Sequence, residues 1–193
     1  MNIYDFDNTI YNGDTNKDLV IYALKKYPKL VIPCLKKARK LNKDYKNGLI
    51  EFERVKEALF AFIFQINNYP KFLNEFVSSH SKKIKSWYLT RRTEHDVIVS
   101  ASYDLWINLF ARYLGVRVVI ATKVDSNGKI IGKNCKGPEK VRRVKEMFPS
   151  ATITTAYGDS ETDKDILELA STAYVVEGNK LKSYSKGYKF KNK

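Results

Sequence analysis

The sequence predicts an α/β fold, a doubly wound parallel core with a helical segment inserted after its first strand. Three observations lead there. Short apolar runs near residues 2–6, 96–100, 116–121, 152–157 and 172–176 alternate with stretches of helical period, as in a parallel sheet covered on both faces. Residues 14–90 show helical spacing without strand alternation. Polar side chains gather just beyond three of the apolar runs, as Asp5/Asp7, Ser100/Ser102 and Asp159/Asp163. In doubly wound sheets, sites form beyond the carboxyl ends of strands.

Each element has a local reason. Asp14, Thr15 and Asn16 can cap a helix through Lys26, with Leu19, Val20, Ala23 and Leu24 as its apolar stripe. Pro28 and Pro33 punctuate the chain before a helix over residues 34–41. Phe52, Val55, Leu59, Phe62, Ile63 and Ile66 predict a helix over 52–66, and Pro70 separates it from a helix near 71–80. Residues 82–89 also fit a helix. After the strand at 96–100, a helix over 103–113 ends at Gly115, and Asp125-Ser126-Asn127-Gly128 predicts a hairpin turn pairing 123–124 with 129–131. Pro138 opens a helix through Phe148, and residues 163–170 form the last predicted helix. The division is therefore residues 1–13 and 91–193 for the core, and 14–90 for the insertion.

Bulk properties narrow the function classes. A chain of 193 residues buries one full core with a smaller lobe. Its most apolar run, residues 58–64, is far shorter than the roughly 20 residues that span a bilayer. Neither a basic leader nor a long apolar stretch precedes the first strand, and two cysteines, Cys34 and Cys135, are too few for a disulfide framework. A reducing, cytoplasmic location is the expectation. The net charge of +14 is localised: residues 25–46 hold nine Lys or Arg against Asp44, and residues 178–193 hold six lysines and no acid. Such patches attract anionic partners or form solvated faces.

The acidic clusters carry the chemistry. In Asp5-Phe6-Asp7-Asn8-Thr9, two carboxylates one residue apart share a side of an extended chain. One can attack phosphorus while the other serves as acid and then base. Spacing alone leaves either aspartate as nucleophile, and a helix or turn cap is the plain alternative. Gly158-Asp159-Ser160-Glu161-Thr162-Asp163 adds acids that would repel the first pair without a cation. Oxygen donors suit Mg²⁺, whereas two histidines and no paired cysteines give zinc little support. The hydroxyl and amides of Ser100-Ala101-Ser102 can hold phosphate oxygens, with Lys140 compensating developing charge. Taken singly, Ser100 also reads as a helix cap and Lys140 as a solvent-facing charge.

In order and spacing these motifs resemble the haloacid dehalogenase-like phosphatases, especially the branch of phosphoserine phosphatases and phosphatidylglycerophosphatase C-like proteins. The resemblance rests on Asp5, Asp7 and Thr9, on Ser100 after Val97-Ile98-Val99, on Lys140 at a helix head, and on Asp159 with Asp163. It covers the first strand and most of residues 93–177. It implies a Rossmann-like core with an inserted helical cap and hydrolysis of a phosphate monoester through an aspartyl phosphate. Asp5 would be the nucleophile and Asp7 the acid and base. Mg²⁺ would sit on Asp5, the Asp7 backbone carbonyl and Asp159, with Asp163 as a metal or water partner. Ser100, Ala101, Thr9 and Lys140 would serve the phosphoryl group. Lys136, directly before Gly137, is the rival to Lys140. Asp14 stands where phosphoserine phosphatases carry a substrate-recognising glutamate.

A small phosphorylated substrate is the expected partner. Two alternatives differ in kind. One is a phosphatase whose basic insertion makes peripheral contact with an anionic membrane and acts on a phospholipid headgroup. The other is a noncatalytic phosphate- or nucleic-acid-binding module. The four clustered aspartates argue against nucleic acid, since without metal they would repel a phosphate backbone. No sequence feature specifies an oligomeric state.

Overall fold

A computed structural model describes residues 1–190. Six strands form one sheet in the order β3-β2-β1-β4-β5-β6. They are β1 (Asn2–Tyr4), β2 (Asp96–Tyr103), β3 (Val118–Thr122), β4 (Thr155–Gly158), β5 (Thr172–Glu177) and β6 (Lys180–Ser183). The first five run parallel, and β6 pairs antiparallel with β5. The chain order runs outward in both directions from β1, so the gap between the carboxyl ends of β1 and β4 is the topological switch point. Asp5 and Asp159 directly follow those two strands.

Strand alternation sends two different surfaces to the two faces. Ile3, Val97, Val99 and Ile120 face one way and pack with Val144 and Ile166. These last two belong to α7 (Pro138–Met147) and α8 (Lys164–Leu167). Tyr4 and Ile98 face the other way, toward α6 (Asp104–Leu114) with Trp106, Ile107 and Phe110. Across β1, β4 and β5 the register aligns Tyr4, Tyr157 and Tyr174. Their rings stack at 4.5 and 5.2 Å between centroids. Trp87 and Tyr88 close over this ladder.

Between β1 and β2 lie only helices: α1 (Thr15–Lys26), α2 (Pro28–Lys46), α3 (Phe52–Phe60), α4 (Tyr69–His80), α5 (Ser86–Leu89) and two 3-10 turns, Ile63–Gln65 and Ser81–Lys83. Asp14 caps α1 by accepting from the Asn16 and Lys17 amides, as its position predicts.

Several boundaries differ from the sequence reading. Pro33 lies inside one continuous α2, where the buried stripe Val31, Cys34 and Ala38 outweighs one lost backbone bond. The helix expected over 52–66 stops at Phe60. Phe60, Phe62, Ile63 and Ile66 are all buried in the main core, and packing there replaces the helical continuation with a 3-10 turn. The helix expected over 163–170 is likewise a 3-10 turn, Glu161–Asp163, followed by the short α8. The turn at Asp125–Gly128 forms, but its flanks share a single bridge, Val124 with Ile130, and no extended hairpin. The basic tail is not simply solvated: β6 lies within it, and Tyr184, Tyr188 and Phe190 pack near Ala173 and Val175. Its final lysines, Lys191 and Lys193, fall outside the described residues.

Candidate active site

The site is built from the ends of three parallel strands and the head of one helix. The Asp5 amide continues the ladder by donating to the Tyr157 carbonyl at 2.9 Å, which fixes the nucleophile candidate beside β4. Asp5 is buried. Lys140, in the first turn of α7 and 1% exposed, donates to Asp5 Oδ1 at 2.5 Å and to Asp163 Oδ1 at 2.7 Å. Lys136 lies elsewhere. It is exposed and lines a 510 Å³ cleft with Tyr45, Phe52, Glu53, Asn134 and Thr162, between the insertion and the core.

Asp163 organises the second acidic loop. Its Oδ2 accepts from the amides of Asp159 and Ser160 at 3.1 Å each and from Ser160 Oγ at 3.0 Å. Such close contact requires a glycine before Asp159, because a Cβ on Gly158 would sit 2.5 Å from Asp163 Cβ. One oxygen from each of Asp5, Asp159 and Asp163 lies within 4.8 Å of the others.

The electrostatics follow from burial and pairing. Burial by itself lowers the basicity of Lys140, but Asp163 and Asp5 outweigh it and hold the ammonium charged well above the ordinary lysine range. Burial would raise Asp163, yet the Lys140 charge and the loop amides bring it below the usual carboxylate value. Asp5 is pushed up, first by burial and then by the Asp163 charge, against the pull of Lys140. Three buried carboxylates converge here beside the Lys140 ammonium. An all-oxygen, acid-rich donor set of this kind fits a hard divalent cation such as Mg²⁺.

Asp7 has a separate set of contacts. Its Oδ1 accepts from the Thr15 amide at 2.6 Å and its Oδ2 from Ser102 Oγ at 2.6 Å. Burial pushes its carboxyl up to about 6, with the Ser102 and Thr15 hydrogen bonds acting the other way. Trp106 Nε1 donates to Thr15 Oγ1 at 3.1 Å, and Thr15 Oγ1 lies 3.2 Å from Ser102 Oγ. The indole can only donate and the Asp7 carboxylate can only accept. The chain of donors therefore runs Trp106, Thr15, Ser102, Asp7.

The Ser100 loop differs from the predicted strand end. Strand β2 continues to Tyr103, with a register shift against β3 between Ser100 and Tyr103. Ser100 is buried, and its Oγ accepts from the Ser102 amide at 3.0 Å. Thr9 is fully buried, and among the described residues its hydroxyl has no hydrogen-bond partner. Asp14 is exposed and occupied as the α1 cap, so its carboxylate faces its own helix amides.

Sequence reasoning placed Ser102 in a strand-end cluster but not against Asp7, and it missed two further residues near this site. Thr122 gave no signal. Lys56 did give one: it stands between Val55 and Leu59, on the apolar stripe of its helix, where a lysine is out of place.

The sequence profile of haloacid dehalogenase-like hydrolases matches residues 3–168, from β1 through the second acidic loop and α8. This chain belongs to that family. It is therefore an enzyme of the hydrolase class, with the family's Rossmann-like core and helical insertion. Protein CicA of Caulobacter vibrioides is 42% identical over 81 residues, which are 38% of this chain and 36% of that protein. The chain thus spans well under half the length of this curated relative. Among solved structures, a protein of unknown function from Bordetella pertussis Tohama I superposes with a TM-score of 0.73 at 19% identity, covering 90% of this chain and 87% of the other. A phosphoserine phosphohydrolase-like protein from Francisella tularensis subsp. tularensis SCHU S4 superposes at 0.53 with 18% identity, covering 89% and 84%. At such identities the likeness is one of fold.

Proposed function

We propose that this hydrolase cleaves a phosphate monoester of a small molecule through an aspartyl phosphate on Asp5. The observation carrying this reading is the buried group of Asp5, Lys140, Asp163 and Asp159 at the switch point, whose converging carboxylate oxygens suit a divalent cation. Asp5 attacks phosphorus as the ester P–O bond breaks, and Asp7 gives its proton to the departing oxygen. Asp7, now a carboxylate, takes a proton from water; the resulting hydroxide attacks phosphorus, and the bond to Asp5 breaks. A carboxyl with pKa near 6 serves both directions of that transfer. Ser100, the Ala101 loop amide, Thr9 and Lys140 hold the phosphoryl oxygens.

Asp5 and Asp159, with the Asp7 carbonyl, would hold Mg²⁺, which when bound neutralises charge on the phosphoryl group. Both oxygens of Asp163 are already engaged, which favours a supporting part for it. The helices at 14–90 would act as a cap domain over the core formed by 1–13 and 91–193. The test is a phosphate-release screen across phosphoserine, sugar phosphates, nucleotides and short-chain phosphatidylglycerophosphate, repeated with Asp5→Asn. Release by the variant at the wild-type rate would exclude Asp5 as nucleophile.

A second reading places the enzyme peripherally on an anionic membrane face inside the cell, acting on a phospholipid headgroup. One observation favours it: Lys29, Lys36, Arg39, Lys40 and Lys43 share the exposed side of α2 with Ile32. Among the described residues, no helix is long and apolar enough to cross a membrane. Activity on vesicles that falls with added salt, while activity on a soluble ester does not, would establish this reading.

A further inference from the structure

The β2 bulge leaves a backbone problem that the insertion solves. Pairing with β3 passes from Ser100 with Ala121 to Tyr103 with Thr122, so the groups of Ala101 and Ser102 fall outside the ladder. A buried carbonyl there needs another donor. Two side chains reach the Ala101 carbonyl: Thr122 Oγ1 at 2.7 Å and the ammonium of Lys56, from α3 in the insertion. Both also reach Asn134 Oδ1, Lys56 at 2.8 Å and Thr122 at 2.9 Å. The Thr122 hydroxyl has one proton and already accepts from the Cys135 amide at 2.9 Å. It can donate to only one of the two oxygens. Lys56 supplies the remaining donors.

We propose that Lys56 is a positioning residue for the phosphate-binding loop, so that seating of α3 on the core completes the geometry of Ser100, Ala101 and Ser102. The Ala101–Ser102 peptide is pinned at both ends, its oxygen by Lys56 and Thr122 and its N–H by Ser100 Oγ. Turning that peptide displaces the Ser100 hydroxyl on one side and, through Ser102, the partner of Asp7 on the other. Two neighbours of Lys56 on the same helix brace the approach. Glu53 accepts from the Asn134 amide at 2.8 Å, and Glu57 accepts from the Ile130 amide at 3.0 Å. Lys56 is buried with its Nζ 4.7 Å from the Tyr103 ring centre, and both of its hydrogen-bond acceptors, the Ala101 carbonyl and Asn134 Oδ1, are uncharged.

This inference rests on the phosphatase reading, and the experiment separates the two. Orthovanadate binding with Mg²⁺ present, turnover of p-nitrophenyl phosphate and of phosphoserine, and thermal unfolding are compared in wild type, Lys56→Met, Lys56→Arg and Glu57→Gln. Lys56→Met is expected to weaken orthovanadate binding at least about tenfold and to lower kcat/KM on both esters by one common factor. Lys56→Arg should recover part of the loss, and Glu57→Gln should lower stability while sparing orthovanadate affinity. If Lys56→Met does not fold, Lys56→Gln takes its place. Unchanged orthovanadate affinity in the folded variant overturns the proposal, as does an equal loss in Glu57→Gln, which would make Lys56 only a staple. A wild type that neither binds orthovanadate nor releases phosphate overturns the phosphatase reading and this inference with it.

Discussion

Two of the buried lysines, Lys140 from the core and Lys56 from the insertion, have opposite surroundings. Lys140 in the core meets two carboxylates, and they hold its charge well above the ordinary range despite complete burial. Lys56 in the insertion meets only neutral acceptors, and burial brings it down to about 7 although Asp7 and Glu53 act the other way. Burial is similar in the two cases. What differs is whether the partner carries charge, and that separates a permanent cation beside Asp5 from a titratable one at the seam between regions.

Removing the proposed nucleophile is the largest expected effect. Asp5→Asn should lower turnover by about 10³-fold or more while leaving the fold intact. Rapid-quench mass spectrometry should find a phosphoryl adduct on wild type and none on the variant; an adduct on another residue would move the reaction centre. Lys140→Met comes next. It strands buried carboxylates and should cost about 3–5 kcal/mol in denaturant unfolding without metal. A loss under about 1 kcal/mol would mean that the carboxylates take up protons in place of the ammonium.

Asp159→Asn sharpens the charge argument. It should weaken Mg²⁺ binding in calorimetry by at least about tenfold while slightly stabilising the metal-free protein, since one repelling charge has gone. Unchanged affinity removes Asp159 from the ligand set. For Lys56 the sign runs the other way from a paired lysine. Its folded value near 7 lies below the ordinary 10.5, so the unfolded chain binds more protons between those values and stability rises with pH across that window. Lys56→Met should flatten this rise in pH-dependent unfolding; identical slopes would show that Lys56 does not titrate there. The smallest effect belongs to the exposed face of α2. Neutralising Lys36, Lys37, Arg39 and Lys40 together should change stability by no more than about 0.5 kcal/mol and spare turnover of a soluble ester. Loss confined to anionic vesicles would give that face a docking role.

How legible the molecule was depended on the range of the interactions. The α1 cap at Asp14, the start of α7 at Pro138 and the strands at β1 and β5 follow from neighbours in sequence. The break after Phe60 and the short α8 do not, because packing against distant aromatic and aliphatic groups overrode local periodicity. The choice between Lys136 and Lys140 at Asp5 needed the fold as well: both precede or open one helix, and only the position of α7 brings Lys140 to within 2.5 Å of Asp5.

By itself the sequence determined the alternation of strands and helices, the place of the insertion and the acidic residues at strand ends, since periodicity and short motifs encode these locally. Only the tertiary structure decided what those residues touch. The Ser102 donor to Asp7 and the reach of Lys56 to Ala101 join positions 95 and 45 residues apart. Such contacts are set by how α3 and the sheet edges pack, and no local pattern in the chain specifies them.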